Sequence, residues 1–181
     1  MNDRNQISVF CSGRDVDTRY VHAARAFALL MIRNKYDLVW GGSDTGLMHV
    51  VASTVKAGGG RLIGVTIKRF LLIVRKDADE MIVAPSLGER KRLMIERGCA
   101  IVVLPGGIGT ADELMEVLER KKQGEHHKPV VVLNTSNFYR GIHLQLDKMS
   151  REGFIPMPLE QLVYFAETPT QAIQYMLKST A

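Results

Sequence analysis

The sequence predicts an α/β protein, a Rossmann-like doubly wound parallel sheet with helices on both faces, formed as one domain over residues 1–181. Three observations carry that expectation. The short strand-like runs are apolar at every position rather than at every second one, which marks strands buried on both faces. Stretches with apolar residues at helical spacing separate them, so strand and helix alternate along the chain. Glycine-rich turns follow several strands, at the end of the sheet where such folds gather their ligand-binding loops.

Ile7 to Cys11 (ISVFC) reads as the first strand because it is apolar, β-branched and ends in Ser-Gly. Arg19 to Asn34 follows as a helix, with Ala23, Ala24, Phe27, Leu30 and Met31 at helical spacing. DLVW (Asp37 to Trp40) is the second strand and runs into Gly41-Gly42-Ser43; the next helix holds Leu47, Val50, Val51 and Val55 and stops at Gly58-Gly59-Gly60. RLIGVTI is the third strand. Lys68 to Glu80 fits a surface excursion in which LLIV suits strand or helix equally. EMIVA (Glu80 to Ala84) and AIVVL (Ala100 to Leu104) are strands flanking a helix at Leu87 to Glu96. A helix near Thr110 to Lys122, the strand PVVVL (Pro129 to Leu133), a helix at Phe138 to Glu152, the strand LVYF and a helix at Pro169 to Leu177 complete the alternation.

Apolar residues make up 46% of the chain and charged residues 24%, a balance that excludes a largely disordered or fibrous protein. The formal charge of +5 comes from small basic groups separated by apolar runs and acids, which suits a rim that draws in a small anion better than a nucleic-acid surface. The polar start MNDRNQ and the lack of a long apolar run point to a cytoplasmic protein with no membrane partner. Cys11 and Cys99 match no zinc or redox spacing and read as reduced core thiols. Trp40 and Tyr139 read as core or rim. The adjacent His126 and His127 read as loop surface rather than a metal site, since neighbouring side chains diverge and no third ligand is evident.

Two segments carry chemistry. In PGGIGTADE, Pro105 to Glu113, small residues let backbone N–H groups approach a ligand, and the helix beginning near Thr110 adds the partial positive charge of its N-terminus. Gly106, Gly107, Gly109 and Thr110 are therefore candidate phosphate ligands. A Walker A loop is excluded by the missing lysine after Gly109, and a dinucleotide fingerprint by spacing and by position late in the fold. Glu113 admits two readings from spacing: the far partner of a capping box begun by Thr110, or a carboxylate one turn from a phosphate that reaches the attached ribose near C1′. Asp112 reads as a first-turn acid favoured by the helix dipole. In LGERKRLM, Leu87 to Met94, Arg90 and Met94 share a helix face while Lys91 points elsewhere, so the segment is either a solvated helix or a source of cations for the loop rim.

The R-K-x-x-M of Arg90 to Met94, followed by P-G-G-x-G-T-x-x-E at Pro105 to Glu113, resembles the signature of the LONELY GUY family, the cytokinin riboside 5′-monophosphate phosphoribohydrolases. VFC-S-G at Val9 to Gly13, GGSDTGLM at Gly41 to Met48 and G-x-H-x-K-P at Gly124 to Pro129 extend the likeness from Ile7 to about Tyr139. The resemblance implies hydrolysis of the N-glycosidic bond of a nucleoside 5′-monophosphate, without metal or other cofactor, by a homodimer with its site near the subunit interface. It implies Arg90 and Glu113 as the catalytic pair, and Lys91, Gly106, Gly107, Gly109, Thr110, Ser12, Gly42 and Ser43 as substrate-binding. The chain departs from the family where Arg120 to Gly124 replaces a tryptophan-containing W-x-Q-L-G and where Leu87-Gly88 replaces M-H. The base is thereby left open among adenine, isopentenyladenine, another purine and a pyrimidine such as cytosine. A molybdenum-cofactor carrier of the same fold is the alternative from another class; it needs the glycine loops but not Glu113 and Arg90 together. An amino-acid decarboxylase would need a cofactor lysine or pyruvoyl group, and nothing in the sequence marks one.

Overall fold

Strands that are apolar on both sides need cover on both sides, and the chain supplies it by alternation. The computed structural model describes residues 5–179, so Met1 to Arg4 of the polar start and the last two residues lie outside the described part. Seven strands, β1 (Gln6–Phe10), β2 (Asp37–Trp40), β3 (Leu62–Ile67), β4 (Glu80–Ala84), β5 (Ala100–Val103), β6 (Val130–Leu133) and β7 (Tyr164–Ala166), form one sheet in the order β4-β3-β2-β1-β5-β6-β7. Every neighbouring pair is parallel.

Period-2 alternation divides the strand side chains between two cores. Ile7, Val9, Leu38, Trp40, Ala100, Val102, Val131 and Leu133 face one, with α1 (Thr18–Arg33), α2 (Gly46–Ala57) and α7 (Pro169–Ser179). Phe10, Val39, Ile101, Val103, Val130 and Val132 face the other, with α3 (Leu87–Arg97), α4 (Ile108–Lys122), α5 (Arg140–Arg151) and the single turn α6 (Leu159–Leu162). Both cores are dry enough that β1, β2, β5 and β6 have no exposed position. Each fully buried Val, Leu or Ile contributes about 1.5–3 kcal/mol.

The elements follow the sequence expectation with four differences, one being that the expected strand LVYF opens on the last residue of α6, Leu162, and becomes strand only from Tyr164. The helix after the glycine loop begins at Ile108, two residues before Thr110, because Gly107 is its N-cap and makes no side-chain cap bond. Lys68–Ile73 is a short 3₁₀ helix with no buried residue, tied back by a bridge between Ser43 and Val74. The long helix expected from Phe138 starts at Arg140, after a 3₁₀ turn at Thr135–Asn137 in which Ser136 has φ 54° and Asn137 φ 60°. No described helix is long and apolar enough to cross a membrane.

Strand order reverses at β1: the chain builds outward through β2, β3 and β4, then returns to pair β5 with β1's other edge. The loops leaving β1 and β5 therefore diverge above the sheet and leave a crevice between them, the usual ligand position in an open α/β sheet.

Candidate active site

A cleft of roughly 310 Å³ opens at that crevice, at the lower end of the ~300–1,000 Å³ range of small-molecule sites. Cys11, Ser12, Gly13 and Arg14 line it from the loop after β1, and Gly107, Gly109, Thr110, Asp112 and Glu113 from the loop after β5 and the start of α4. Met48 of α2, Arg69 and Phe70 of the 3₁₀ segment, and Leu87, Arg90 and Lys91 of α3 complete the wall. The two principal loops touch directly: Ser12 N donates to Pro105 O at 3.2 Å. Ser12 Oγ accepts from Arg14 N at 2.9 Å, so this serine also shapes its own turn.

The centre of the cleft is a buried ion pair. Ser86 caps α3 by accepting from Glu89 N at 3.1 Å, which starts the helix where Arg90 and Met94 both turn toward the sheet. Arg90 Nε donates to Val65 O at 2.9 Å and Nη1 donates to Glu113 Oε1 at 2.7 Å. The two side chains are only 7% and 10% exposed. Glu113 belongs to the buried stripe of α4 with Thr110, Leu114, Val117 and Leu118, a carboxylate where the helical pattern asks for an apolar residue. Burial pushes its pKa above the ordinary 4.5, against the opposing pull of the Arg90 guanidinium. With Gly107 as N-cap, Glu113 lies beyond the first turn and has no capping role, so the capping-box reading is removed.

Lys91 reaches the same helix from one position further round. Its ammonium donates to Asp112 Oδ2 at 2.9 Å and pairs with Glu116. Burial lowers the lysine pKa, but these two carboxylates outweigh it and hold the group above its ordinary value. Asp112 is therefore an ion-pair partner and not only a charge on the helix dipole.

Of the sequence-selected residues, Arg90, Glu113, Lys91, Ser12, Gly107, Gly109 and Thr110 meet at the cleft. Gly106 does not line it; a side chain there would run into Thr110, so this glycine allows the loop to close on its own helix. Gly42 and Ser43 also stand outside the lining. Gly42 has φ +79° and packs on Met81 and Thr66, while Ser43 O accepts from Trp40 Nε1 at 3.1 Å. The glycine of that loop that matters to the cleft is Gly41, where a Cβ would occupy the place of Arg90 Nη2. Arg14, Met48, Arg69 and Phe70 were not selected from sequence. Met48 closes the GGSDTGLM stretch, whereas Arg14, Arg69 and Phe70 belong to no motif, and only the fold brings all four to the rim.

Arg120 to Gln123 lie at the far end of α4, with Arg120 paired to Glu116 and Glu125, whereas Leu87 does line the cleft. Of the two departures from the family pattern, only the one at Leu87-Gly88 thus reaches the site within this chain. Loop surface describes His127 but not His126, which is 8% exposed and within 3.0 Å of Val117 O through Nε2. Lys128 donates to Ile95 O and Glu96 O at 2.6 and 2.7 Å, so this segment clips the ends of α3 and α4 together behind the site. Trp40 and Tyr139 are core residues; Tyr139 Oη donates to Leu104 O at 2.8 Å. Cys11 and Cys99 are free, the first buried and the second half-buried. Burial, reinforced by Glu113, drives the Cys11 thiol far above its ordinary range, so it forms no thiolate nucleophile.

A family model described as "Possible lysine decarboxylase" matches residues 48–176. The cytokinin riboside 5′-monophosphate phosphoribohydrolase of Mycobacterium tuberculosis is 33% identical over 87% of this chain and 86% of its own length. That of Rhodococcoides fascians is 37% identical over 82% of this chain and 77% of its own, and the probable enzyme LOG6 of Arabidopsis thaliana 36% over 90% and 82%. Among solved structures, the molybdenum cofactor binding protein of Rippkaea orientalis superposes with a TM-score of 0.75 at 21% identity, covering 100% of both chains. The Moco carrier protein of Chlamydomonas reinhardtii gives 0.74 at 24%, covering 97% of each. These structures share the fold.

Proposed function

The chain belongs to the LONELY GUY family, and from that premise we propose that it is a nucleoside 5′-monophosphate phosphoribohydrolase, an N-glycosidase that releases free base and ribose 5-phosphate. The observation that carries the reading is the buried Arg90–Glu113 pair in the wall of a glycine-lined cleft. A carrier needs the cleft; it has no use for a desolvated carboxylate held at 2.7 Å by a guanidinium.

The substrate's phosphate sits against Gly107, Gly109, Thr110 and Ser12, where the N-terminus of α4 favours an anion. Breaking the C1′–N bond builds positive charge on the ribose, and a carboxylate in a water-poor cleft stabilises that charge more than it would in water. Glu113 fills this role through Oε2, which makes no hydrogen bond among the described residues, and orients or deprotonates the attacking water. Arg90 holds Oε1 and keeps the carboxylate ionised; a guanidinium cannot itself serve as base. Lys91 pairs with Asp112 and Glu116 and offsets one of their two negative charges, and Arg120 offsets the other from its own pair with Glu116. The bases of cytokinin nucleotides are the first candidates, since the relatives at 33–37% identity carry that activity in their names.

The protein acts as a single nucleotide-binding domain in a homodimer in the cytoplasm. Support for the dimer comes from Leu72 and Ile108, which are 95% and 91% exposed on two segments at the cleft; the two free thiols suit a reducing compartment. Incubation with AMP, CMP, GMP and isopentenyladenosine monophosphate tests the activity. Free base from at least one of them is expected, and release from none would overturn the reading.

A further inference from the structure

Six charged residues line the cleft: Arg14, Arg69, Arg90, Lys91, Asp112 and Glu113. Four cations against two acids leave a formal excess of two positive charges. Arg90 is spent on Glu113 and Lys91 on Asp112, with Glu116 as a further acid on Lys91. The excess therefore resides in Arg14 and Arg69, neither of which has a carboxylate partner among the described residues. Without these two arginines the lining would be neutral, and a phosphate dianion entering it would meet no net attraction.

Their placement suits a common target. Arg14 follows Ser12 and Gly13 in the loop that is bonded to Pro105, so it flanks the glycine turn at the start of α4. Arg69 approaches from the 3₁₀ segment after β3, its guanidinium stacked 4.6 Å from the Phe70 ring centroid, which limits its freedom without using its charge. Both are exposed, so neither is needed to hold a core together. The 3₁₀ segment that carries Arg69 is anchored at its far end: Asp44 N donates to Ile73 O at 2.8 Å, and Arg75 joins Asp44, Asp77 and Ser53. Residues 68–73 thus present an exposed cation to the cleft beside the half-buried ring of Phe70, which packs against the core.

We propose that Arg14 and Arg69, which lie outside the glycine and R-K motifs, are the side chains that supply the net charge for binding the substrate's phosphate and so set the preference for nucleotides over nucleosides. This rests on the phosphoribohydrolase reading of the same cleft. Two sequence-distant arginines would then meet the anion beside the backbone donors, while the motif cations are reserved for the catalytic carboxylate and its neighbours.

The test is steady-state kinetics of Arg14→Gln, Arg69→Gln and the double variant, with ribose 5-phosphate binding by calorimetry. Each single variant should raise KM for the nucleotide about tenfold, as loss of one charge-assisted contact does, with kcat within about threefold. The double variant should flatten the salt dependence of kcat/KM. Arg14→Lys and Arg69→Lys should recover part of the affinity. Lys178→Gln removes the same charge from the exposed end of α7 and should leave KM in place. Unchanged KM in the double variant, a fall in kcat at constant KM, or an equal effect of Lys178→Gln would each overturn the proposal. If the wild type cleaves no nucleotide, the functional reading fails, and ribose 5-phosphate binding still decides: weakening in the double variant upholds the arginine pair, and equal affinity overturns it.

Discussion

Replacing Glu113 by Gln separates turnover from nucleotide binding in a way that only a working carboxylate allows. The amide keeps the shape and can still accept from Arg90 Nη1 at the 2.7 Å position, but it cannot take a proton or balance charge on the ribose. Loss of a positioned acid–base group lowers kcat by about 10²–10⁴-fold. Burial raises the Glu113 pKa in the folded protein, so the native state binds this proton more tightly than the unfolded chain does. The Glu113 contribution to wild-type stability therefore declines as pH rises from the ordinary 4.5 through the folded value, a pH dependence that the Gln variant lacks. The same substitution leaves the buried Arg90 guanidinium without its counter-charge, which costs stability. The expected result is near-normal nucleotide affinity by calorimetry and base release close to background, with a lowered Tm at pH 7 from the unpaired guanidinium. A carboxylate with a purely structural role predicts turnover retained by the folded variant, or nucleotide affinity lost in step with turnover. Either outcome would refute the reasoning.

Arg90→Gln leaves Glu113 buried without its counter-charge, which costs about 3–5 kcal/mol when the acid is ionised. Thermal melts should show a large loss at pH 7 that shrinks toward pH 5 as the carboxyl takes up a proton, and Arg90→Gln/Glu113→Gln should recover part of it. The pH profile of kcat should have an acid limb with its midpoint above 4.5, where Glu113 loses its proton; full activity maintained down to that pH would contradict the burial argument. Gly41→Ala puts a Cβ in the place of Arg90 Nη2 and should lower kcat on the order of 10²-fold by displacing the guanidinium. Gly107→Ala meets no protein atom within 4 Å, so it should leave Tm unchanged and raise KM by intruding on the phosphate.

The sheet was legible because its strands are apolar on both faces, a pattern that two-sided burial requires; β5 and β6 follow it at every position, while β1 and β2 bury Ser8 and Asp37 as well. The edge strand β4, half-buried along most of its length, is legible as a strand and pairs with β3. Helix starts were less legible. Thr110 looks like an N-cap, but Gly107 takes that position because the glycine turn already has the extended backbone a cap needs. Spacing alone left Glu113 between a cap and a ribose contact, and it was the resemblance of the R-K-x-x-M and P-G-G-x-G-T-x-x-E segments that joined it to Arg90; in the fold Glu113 lies in the buried stripe of α4 and Arg90 shares a face with the fully buried Met94. Gly42 and Ser43 misled because a glycine-rich turn after a strand has two uses. Here Gly42 serves its own left-handed backbone and Gly41 makes room for Arg90. Arg14 and Arg69 carry no local pattern at all; their meaning comes from which other charges in the cleft are already paired.

The central claim is that this cleft cleaves the bond between C1′ and the base and leaves the phosphate on the sugar. Chromatography of a reaction with isopentenyladenosine monophosphate or AMP tests it directly. Free base and ribose 5-phosphate should appear in equal amounts, with little cleavage of the corresponding nucleoside and none above background by Glu113→Gln. Intact nucleotide throughout, nucleoside plus inorganic phosphate, or nucleoside cleaved as readily as nucleotide would contradict it.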